Sequence, residues 1–487
     1  MCGANQTGRI LKQNLFALQP KERTEDNIFS EIKTAVSRSC RKTVVLDDDP
    51  TGCQTVHGIY VLTSWQVDEL KTAFLRPEPL FFILTNTRSF LKEKARAINE
   101  EIGLNLCQAA RELGIEFSVI SRGDSTLRGH YPDELDVLED VLGKETGHQF
   151  DGQLLIPAFF EGGRYTINDV HYVQESEELV PAGETEFARD AVFGYQNSHL
   201  GLYIEEKTCG KVLAKDVVSI GLSDLRNGGS EHVVRILMQM NNGKRAVVNA
   251  ASYRDLEIFV LGLLKSEEAG KRFLVRSSAS FVKVRGAVED RQYLTCDEME
   301  MPDNSRTGGL VVVGSYVGKT SAQIKAVLNE SSILPLEINV DLLLDENRRP
   351  FILAQIIDTV NKSIKDGIDV MIYTSRTLVT KESATGNLSI GRSVSAALVE
   401  IVRLLNIQPR FLIAKGGITS NDLATDALGV KASLVLGQVY PGIPVWKLGP
   451  ETKFPGMSYV VFPGNVGQSD TLAQIILLFN RSISRIK

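Results

Sequence analysis

Two patterns of apolar positions recur along the chain from Thr43 onward. Short unbroken runs of aliphatic and β-branched residues alternate with longer stretches whose apolar residues return every three or four positions. The first pattern suits strands buried on both faces, the second amphipathic helices. Strands are expected at 44–47, 59–63, 80–85, 117–121 and 154–157, with a helix over 91–113 between the third and fourth. The stretch 159–200 is less regular, and a connection that long is more often functional than structureless. Alternation resumes with strands at 217–220, 246–249 and 273–275. A second series gives strands at 310–314, 370–373, 411–414, 432–436 and 459–462, with helices over 321–328, 390–405 and 472–479. Strand–helix alternation predicts α/β domains with largely parallel sheets. The polar stretch 301–309, MPDNSRTGG, reads as a linker. It separates domains at 43–304 and 305–487, behind an N-terminal extension at 1–42.

Composition narrows the class. At 487 residues the chain exceeds one ordinary core, and 43% apolar with 23% charged residues is the balance of a globular protein. A formal net charge of −6 argues against nucleic acid as a partner. Six cysteines lie far apart without CxxC or zinc spacing, which suits reduced thiols in a cytoplasmic protein. The N-terminus lacks the apolar core of a signal peptide, and no apolar run reaches the ~20 residues that cross a bilayer, so no membrane partner is expected. Neither histidine nor cysteine spacing suggests a metal held by the protein alone.

The strongest chemical signal is Thr43–Gly58, TVVLDDDPTGCQTVHG. A buried strand opens into Asp47, Asp48 and Asp49, then a Pro-Thr-Gly turn. Three like charges in one loop repel unless a cation, a cationic side chain or polar substrate groups share the site. Asp47-x-Asp49-x-Thr51 also fits the DxDxT pattern of dehalogenase-type phosphotransferases, in which Asp47 would be the nucleophile. No acidic pair follows a later strand to hold the Mg²⁺ such enzymes need. Ser121–Glu134, SRGDSTLRGHYPDE, crowds Arg122, Gly123, Asp124, Ser125, Thr126 and Arg128 into one loop before a helix that Pro132 could start. Arginine forks suit a carboxylate, and Asp and Ser suit hydroxyls, a combination matching a small hydroxy-acid. Arg88 lies beyond another strand end. His171 reads as a hydrogen-bonded structural histidine, outside the catalytic set.

The distal half carries three strand-to-helix glycine turns. Gly314–Thr320, GSYVGKT, is one residue short of a P-loop, yet a glycine-serine turn entering a helix still suits an anion. Lys415–Ser420, KGGITS, and Pro463–Gly467, PGNVG, also leave backbone N–H groups free for phosphate, with Thr419 or Ser420 as a helix cap.

Together these segments resemble the four-carbon acid sugar kinase family. Asp48–Gly52 is similar to its DDFTG-type signature, with Pro50 where Phe is frequent, and SRGDSTLRG to its KxDSTLRG-type motif. PAFFEGGRYTINDVHYV, PAGETEFARDAVFGY, RSSASFVKVR, VVVGSYVGKTSAQI, GQVYPGIPV and FPGNVGQSDTL resemble further family segments, in order. The resemblance implies an ATP- and Mg²⁺-dependent kinase acting on the C4 hydroxyl of a tetronate or 3-oxo-tetronate. Its sugar-acid domain would be 43–304, its nucleotide domain 305–487, and its active site the interdomain cleft. It also implies substrate contacts from Asp48, Arg88, Arg122, Gly123, Asp124 and Ser125, with Asp48 or Asp49 handling the proton. Nucleotide contacts would come from Ser315, Gly416, Gly417, Ile418, Thr419 and Gly464. The family's GGET is GGIT here, so Ile418 stands where relatives carry an acid. A phosphatase using Asp47 and a non-catalytic sugar-acid or nucleotide sensor are the rival readings. A homodimer is left open as the assembly.

Overall fold

The computed structural model describes residues 8–24, 27–299, 306–315, 318–375, 384–464 and 466–485. The expected linker and the P-loop-like turn therefore lie partly outside the described residues. The chain forms two compact units, one of residues up to 56 plus 64–290, the other of 57–63 plus the residues from 291 onward.

The first unit is built on seven parallel strands. Their order is Val218–Ile220, Lys244–Val248, Gly152–Ile156, Phe273–Ser277, Phe117–Arg122, Lys42–Asp47 and Leu80–Leu84. Strands such as Leu80–Leu84, LFFIL, are buried along their whole length, which is why they read as unbroken apolar runs. Helices cover the sheet. Lys92–Leu113 starts one residue after the expected position and ends where Gly114 takes a left-handed φ of 66°. The helix Tyr253–Glu268 is opened by a capping box in which Ser252 Oγ accepts from Asp255 N (3.4 Å) and Asp255 accepts from Ser252 N (3.0 Å).

The irregular stretch is not a loop. Arg164–Ile167, Val170–Glu175 and Glu178–Pro181 form an antiparallel meander, and Ile10–Leu11 adds a fourth strand at its edge. These strands are short and their turns lack Asn-Gly or Asp-Gly pairs, so the period-two signal was weak. The described residues of the N-terminal extension thus pack within this unit. Lys12 Nζ donates to Tyr165 Oη (2.7 Å), and Ile28 and Ile32 of the helix Ile28–Arg38 are buried.

The second unit holds five parallel strands, Ser458–Phe462, Leu412–Lys415, Leu310–Val313, Val370–Thr374 and Leu334–Ile338. Ile443–Leu448, Ala432–Tyr440 and Ile59–Leu62 extend it antiparallel beside Ser458–Phe462. Leu334–Ile338 and Ile443–Leu448 went unpredicted because each is interrupted by proline (Pro335, Pro444), a residue that ordinarily argues against a strand. Helices Gly318–Glu330 and Thr471–Arg485 sit near their expected places, and Phe479 stacks on Phe411 at 4.4 Å in the core. Among the described residues no helix is long and apolar enough to cross a membrane.

Candidate functional site

In a parallel sheet, all carboxyl ends point one way, and the loops that leave them share one edge. In the first unit, register places Asp47 opposite both Arg122 and Leu84, and Arg122 opposite Ser277. Four neighbouring strands therefore deliver the aspartate loop, the Arg88 turn, the SRGDSTLRG loop and Arg276 to one place.

The site has a buried layer and an accessible one. In the buried layer Arg122 Nη1 donates to Asp47 Oδ1 at 3.3 Å. Arg276 Nη1 donates to Glu134 Oε2 (2.8 Å) and Ser121 Oγ (2.7 Å), while its Nη2 reaches Asp48 Oδ2 at 3.4 Å. Thr87 Oγ1 donates to the other Glu134 oxygen at 2.6 Å. Asp48 is only 2% exposed, and its Oδ1 has no hydrogen-bond partner, with Arg88 Nη2 4.0 Å away. Burial pushes the Asp48 carboxyl above the usual range, although Arg88 and Arg276 oppose the shift. Burial likewise raises Asp47 to about 7.

In the accessible layer Arg88 bridges Asp49 and Asp124, the latter at 3.3 Å. Asp124 also accepts from Arg128 Nε (2.8 Å), Thr126 N (3.3 Å) and the Thr126 hydroxyl. Burial disfavours charge on both carboxylates, but Arg88 with Thr51 holds Asp49 below the usual range, and Arg88 with Arg128 does the same for Asp124. The predicted substrate set, Asp48, Arg88, Arg122, Gly123, Asp124 and Ser125, therefore lies together.

Glycines make this crowding sterically feasible. A Cβ on Gly123 would fall 2.0 Å from Arg276 Nη2, and one on Gly52 would fall 1.9 Å from Asp47 Oδ2. The meander and its continuation brace the SRGDSTLRG loop. His171 Nε2 donates to the Ser125 carbonyl (2.8 Å), Tyr195 to that of Thr126 (2.8 Å) and Tyr203 to that of Leu127 (2.9 Å). Burial lowers His171 to about 4, so near neutral pH its Nδ1 accepts from Thr166 Oγ1 (3.0 Å) and the ring acts as a neutral prop. Arg276 and Glu134 were missed by sequence reading. The RSSASFVKVR segment stood out only through the family resemblance, and nothing local pairs a strand-end arginine with a helix glutamate 142 residues away.

The second unit repeats the logic with different loops. Val313 lies opposite Lys415, and Lys415 opposite Phe462, so the three glycine turns leave adjacent strand ends. Ser315, Gly416, Thr419 and Gly464 converge. A Cβ on Gly416 would sit 3.4 Å from Ser315 N and 3.2 Å from Thr419 Oγ1, and one on Gly464 would sit 3.0 Å from Ser315 Oγ. Glycine backbone lies here beside the Ser315 and Thr419 hydroxyls and Ser315 N, the kind of surface that phosphate can approach. The short helix Gly417–Asp422 is capped by Gly416, with a φ of 120°, rather than by Thr419 or Ser420. Thr320 does not imitate the P-loop threonine. Its hydroxyl donates toward Ser315 Oγ (3.0 Å) and the Gly464 carbonyl (3.1 Å), tying two turns together. Lys415 is fully buried, donates to the Pro463 carbonyl at 3.0 Å and lies 3.8 Å from the Phe462 ring centre. Burial, reinforced by Lys319, lowers its amine to about 7. Ile418 is 60% exposed, so the cradle does not depend on packing its side chain. Among the described residues no group of three or more His, Cys, Asp or Glu side chains is arranged to hold a metal.

Residues 43–285 match a family described as the sugar-binding N-terminal domain, and 310–472 one described as the nucleotide-binding C-terminal domain. A D-erythronate kinase of Heliobacterium modesticaldum is 27% identical over 274 residues, 55% of this chain. The matched region spans 56% of that relative's length. Two solved structures share the fold. A Haemophilus influenzae protein of family DUF1537 is 16% identical, with a TM-score of 0.61 over 90% of this chain and 100% of its own. A protein of Salmonella typhimurium LT2 is 17% identical, with a TM-score of 0.66 over 89% of this chain and 98% of its own. With a sugar-binding half and a nucleotide-binding half matched in succession on a shared fold, the chain belongs to the four-carbon acid sugar kinase family.

Proposed function

We propose that the chain is an ATP-dependent kinase that phosphorylates the terminal hydroxyl of a four-carbon sugar acid, a tetronate or 3-oxo-tetronate. The observation that carries this reading is Asp48 Oδ1, a buried carboxylate oxygen without a donor in the half matched to sugar-binding domains. An acceptor hydroxyl would fill that vacant hydrogen bond and lose its proton there as phosphorus–oxygen bonding develops. Raised basicity suits Asp48 to the task, whereas Asp49, held by Arg88 and Thr51, orients rather than deprotonates. Asp124 and Ser125 would position the remaining hydroxyls.

In the second unit Ser315, the Gly416–Thr419 turn and Gly464 would hold the nucleotide's phosphates, with Mg²⁺ carried on them. Bound ATP supplies the phosphoryl group. The chain's own work is to hold the acceptor, keep its proton path open and exclude water. A phosphatase reading is disfavoured because the Asp47 carboxylate is paired with Arg122 and packed against Gly52, whereas Asp48 Oδ1 is left without a donor. Ile418 is exposed, and the resemblance implies an acid at its position in the family, which favours the sensor reading instead.

Release of ADP, followed across a panel of four-carbon sugar acids, tests the proposal. ADP should form in step with a phosphorylated acid. No ADP above background with any tetronate or 3-oxo-tetronate, alongside retained ligand binding, would replace the kinase by the sensor.

A further inference from the structure

Five guanidiniums surround the acidic pocket of the first unit, and four are committed to carboxylates. Arg122 pairs with Asp47 (3.3 Å), Arg276 with Glu134 (2.8 Å), Arg88 with Asp49 and Asp124, and Arg128 through Nε with Asp124 (2.8 Å). Arg164 is different. Among the described residues it forms no ion pair; its Nη1 donates to the Gly162 carbonyl, and its buried Nε has no partner. Arg128 and Arg164 both lie against the Phe187 ring, 5.2 and 5.8 Å from its centre. Phe187 belongs to PAGETEFARDAVFGY, the segment whose Tyr195 braces the SRGDSTLRG loop. Arg128 bonds Asp124 through Nε, and its Nη1 lies 3.8 Å from Asp190 Oδ2. Burial and the neighbouring Arg128 charge disfavour the Arg164 cation, with Asp124 as the counterweight. Two cations beside one ring, partly dried, share the field of Asp124, which Arg88 and Arg128 already engage, and an incoming carboxylate relieves them.

We propose that Arg164, with the η end of Arg128, seats the substrate's carboxylate. Arg122, assigned that role by sequence reasoning, is closed off by Asp47, and Arg88 is occupied by two aspartates. Recognition of the acid group then comes from the meander and its continuation, and hydroxyl handling from the strand ends. The inference rests on the sugar-acid reading above.

Its test is calorimetric binding to the full chain of D-erythronate and of erythritol, the polyol of the same length without the carboxylate. Wild type should prefer the acid. Arg164→Met should cut acid affinity about 10- to 100-fold and leave erythritol binding nearly unchanged. Arg164→Lys, which keeps the charge but loses the fork, should recover part of the preference, and matched thermal unfolding guards against a folding defect. An unchanged acid-over-polyol preference in Arg164→Met overturns the inference and leaves the kinase reading intact. If wild type ignores four-carbon acids but binds another hydroxy-acid through Arg164, the seat stands and the four-carbon reading falls. Binding of no carboxylate at all overturns both.

Discussion

Asp48 and Asp49 are adjacent and chemically identical, yet their surroundings push them apart. Asp48 is buried with one oxygen unpartnered, and its carboxyl is raised; Asp49 is gripped by Arg88 and Thr51, and its carboxyl is lowered. Separation of this kind is how one loop supplies both a proton acceptor and a fixed anion. Asp48→Asn should lower kcat about 10²- to 10⁴-fold with the unfolding curve little changed, and steady-state kinetics beside circular dichroism would show it. In wild type the rising limb of kcat with pH should lie above the ~3.9 of an ordinary aspartate, because the base acts only once deprotonated. Near-normal turnover in the Asn variant would remove Asp48 from the role.

Lys415 has the opposite sign. Its amine titrates at about 7 when folded, against 10.5 for an unperturbed lysine, so between these values the folded chain binds fewer protons than the unfolded one. Stability is then lowest below about pH 7 and recovers as pH rises toward about 10. Lys415→Met keeps the apolar stem and should flatten that slope in urea titrations over the same range. A slope that persists in the variant would trace the effect to other groups.

At the scale of elements, the SRGDSTLRG loop is rigid because its neighbours hold it. Three successive carbonyls each receive a buried side-chain donor, from His171, Tyr195 and Tyr203. Fixing that backbone fixes Asp124, to which Arg88 and Arg128 are bound. Gly123 is the loop's tightest point. Gly123→Ala would drive a methyl into the Arg276 guanidinium and disturb its bond to Glu134, costing about 1–3 kcal/mol in denaturant unfolding and weakening acid binding. A variant with wild-type stability and affinity would show that Arg276 is free to move aside.

The expected helix cap at Thr419 or Ser420 failed for a reason visible in the same kind of detail. Gly416 takes a φ of 120°, open to glycine but unfavourable for other residues, and the chain turns there rather than at a hydroxyl.

Each unit of the molecule builds its candidate site from its own strand ends, so the two binding events should separate. Gly416→Ala should weaken ATP binding through backbone strain while sugar-acid binding in calorimetry stays as in wild type. Asp48→Asn should leave ATP binding unaltered. Parallel loss of both ligands in either variant would mean that the substitution had damaged more than its own site.

The amino-acid pattern by itself determined the class of fold and most of its strands, because parallel strands buried on both faces leave unbroken apolar runs. It also disclosed the aspartate loop, the Arg-rich loop and the three glycine turns, since such polar and glycine-rich clusters at strand ends are legible locally. The meander escaped it, as did the strands carrying Pro335 and Pro444, whose local signals are weak or contrary. Only the tertiary structure decided which charges meet. The pairing of Arg276 with Glu134, the Arg88 and Thr51 contacts that hold Asp49 down while Asp48 stays raised, and, among the described residues, the lack of an ion pair at Arg164 depend on strand register and loop packing. Electrostatics turns on distance and desolvation in space, and neither is written in the order of residues.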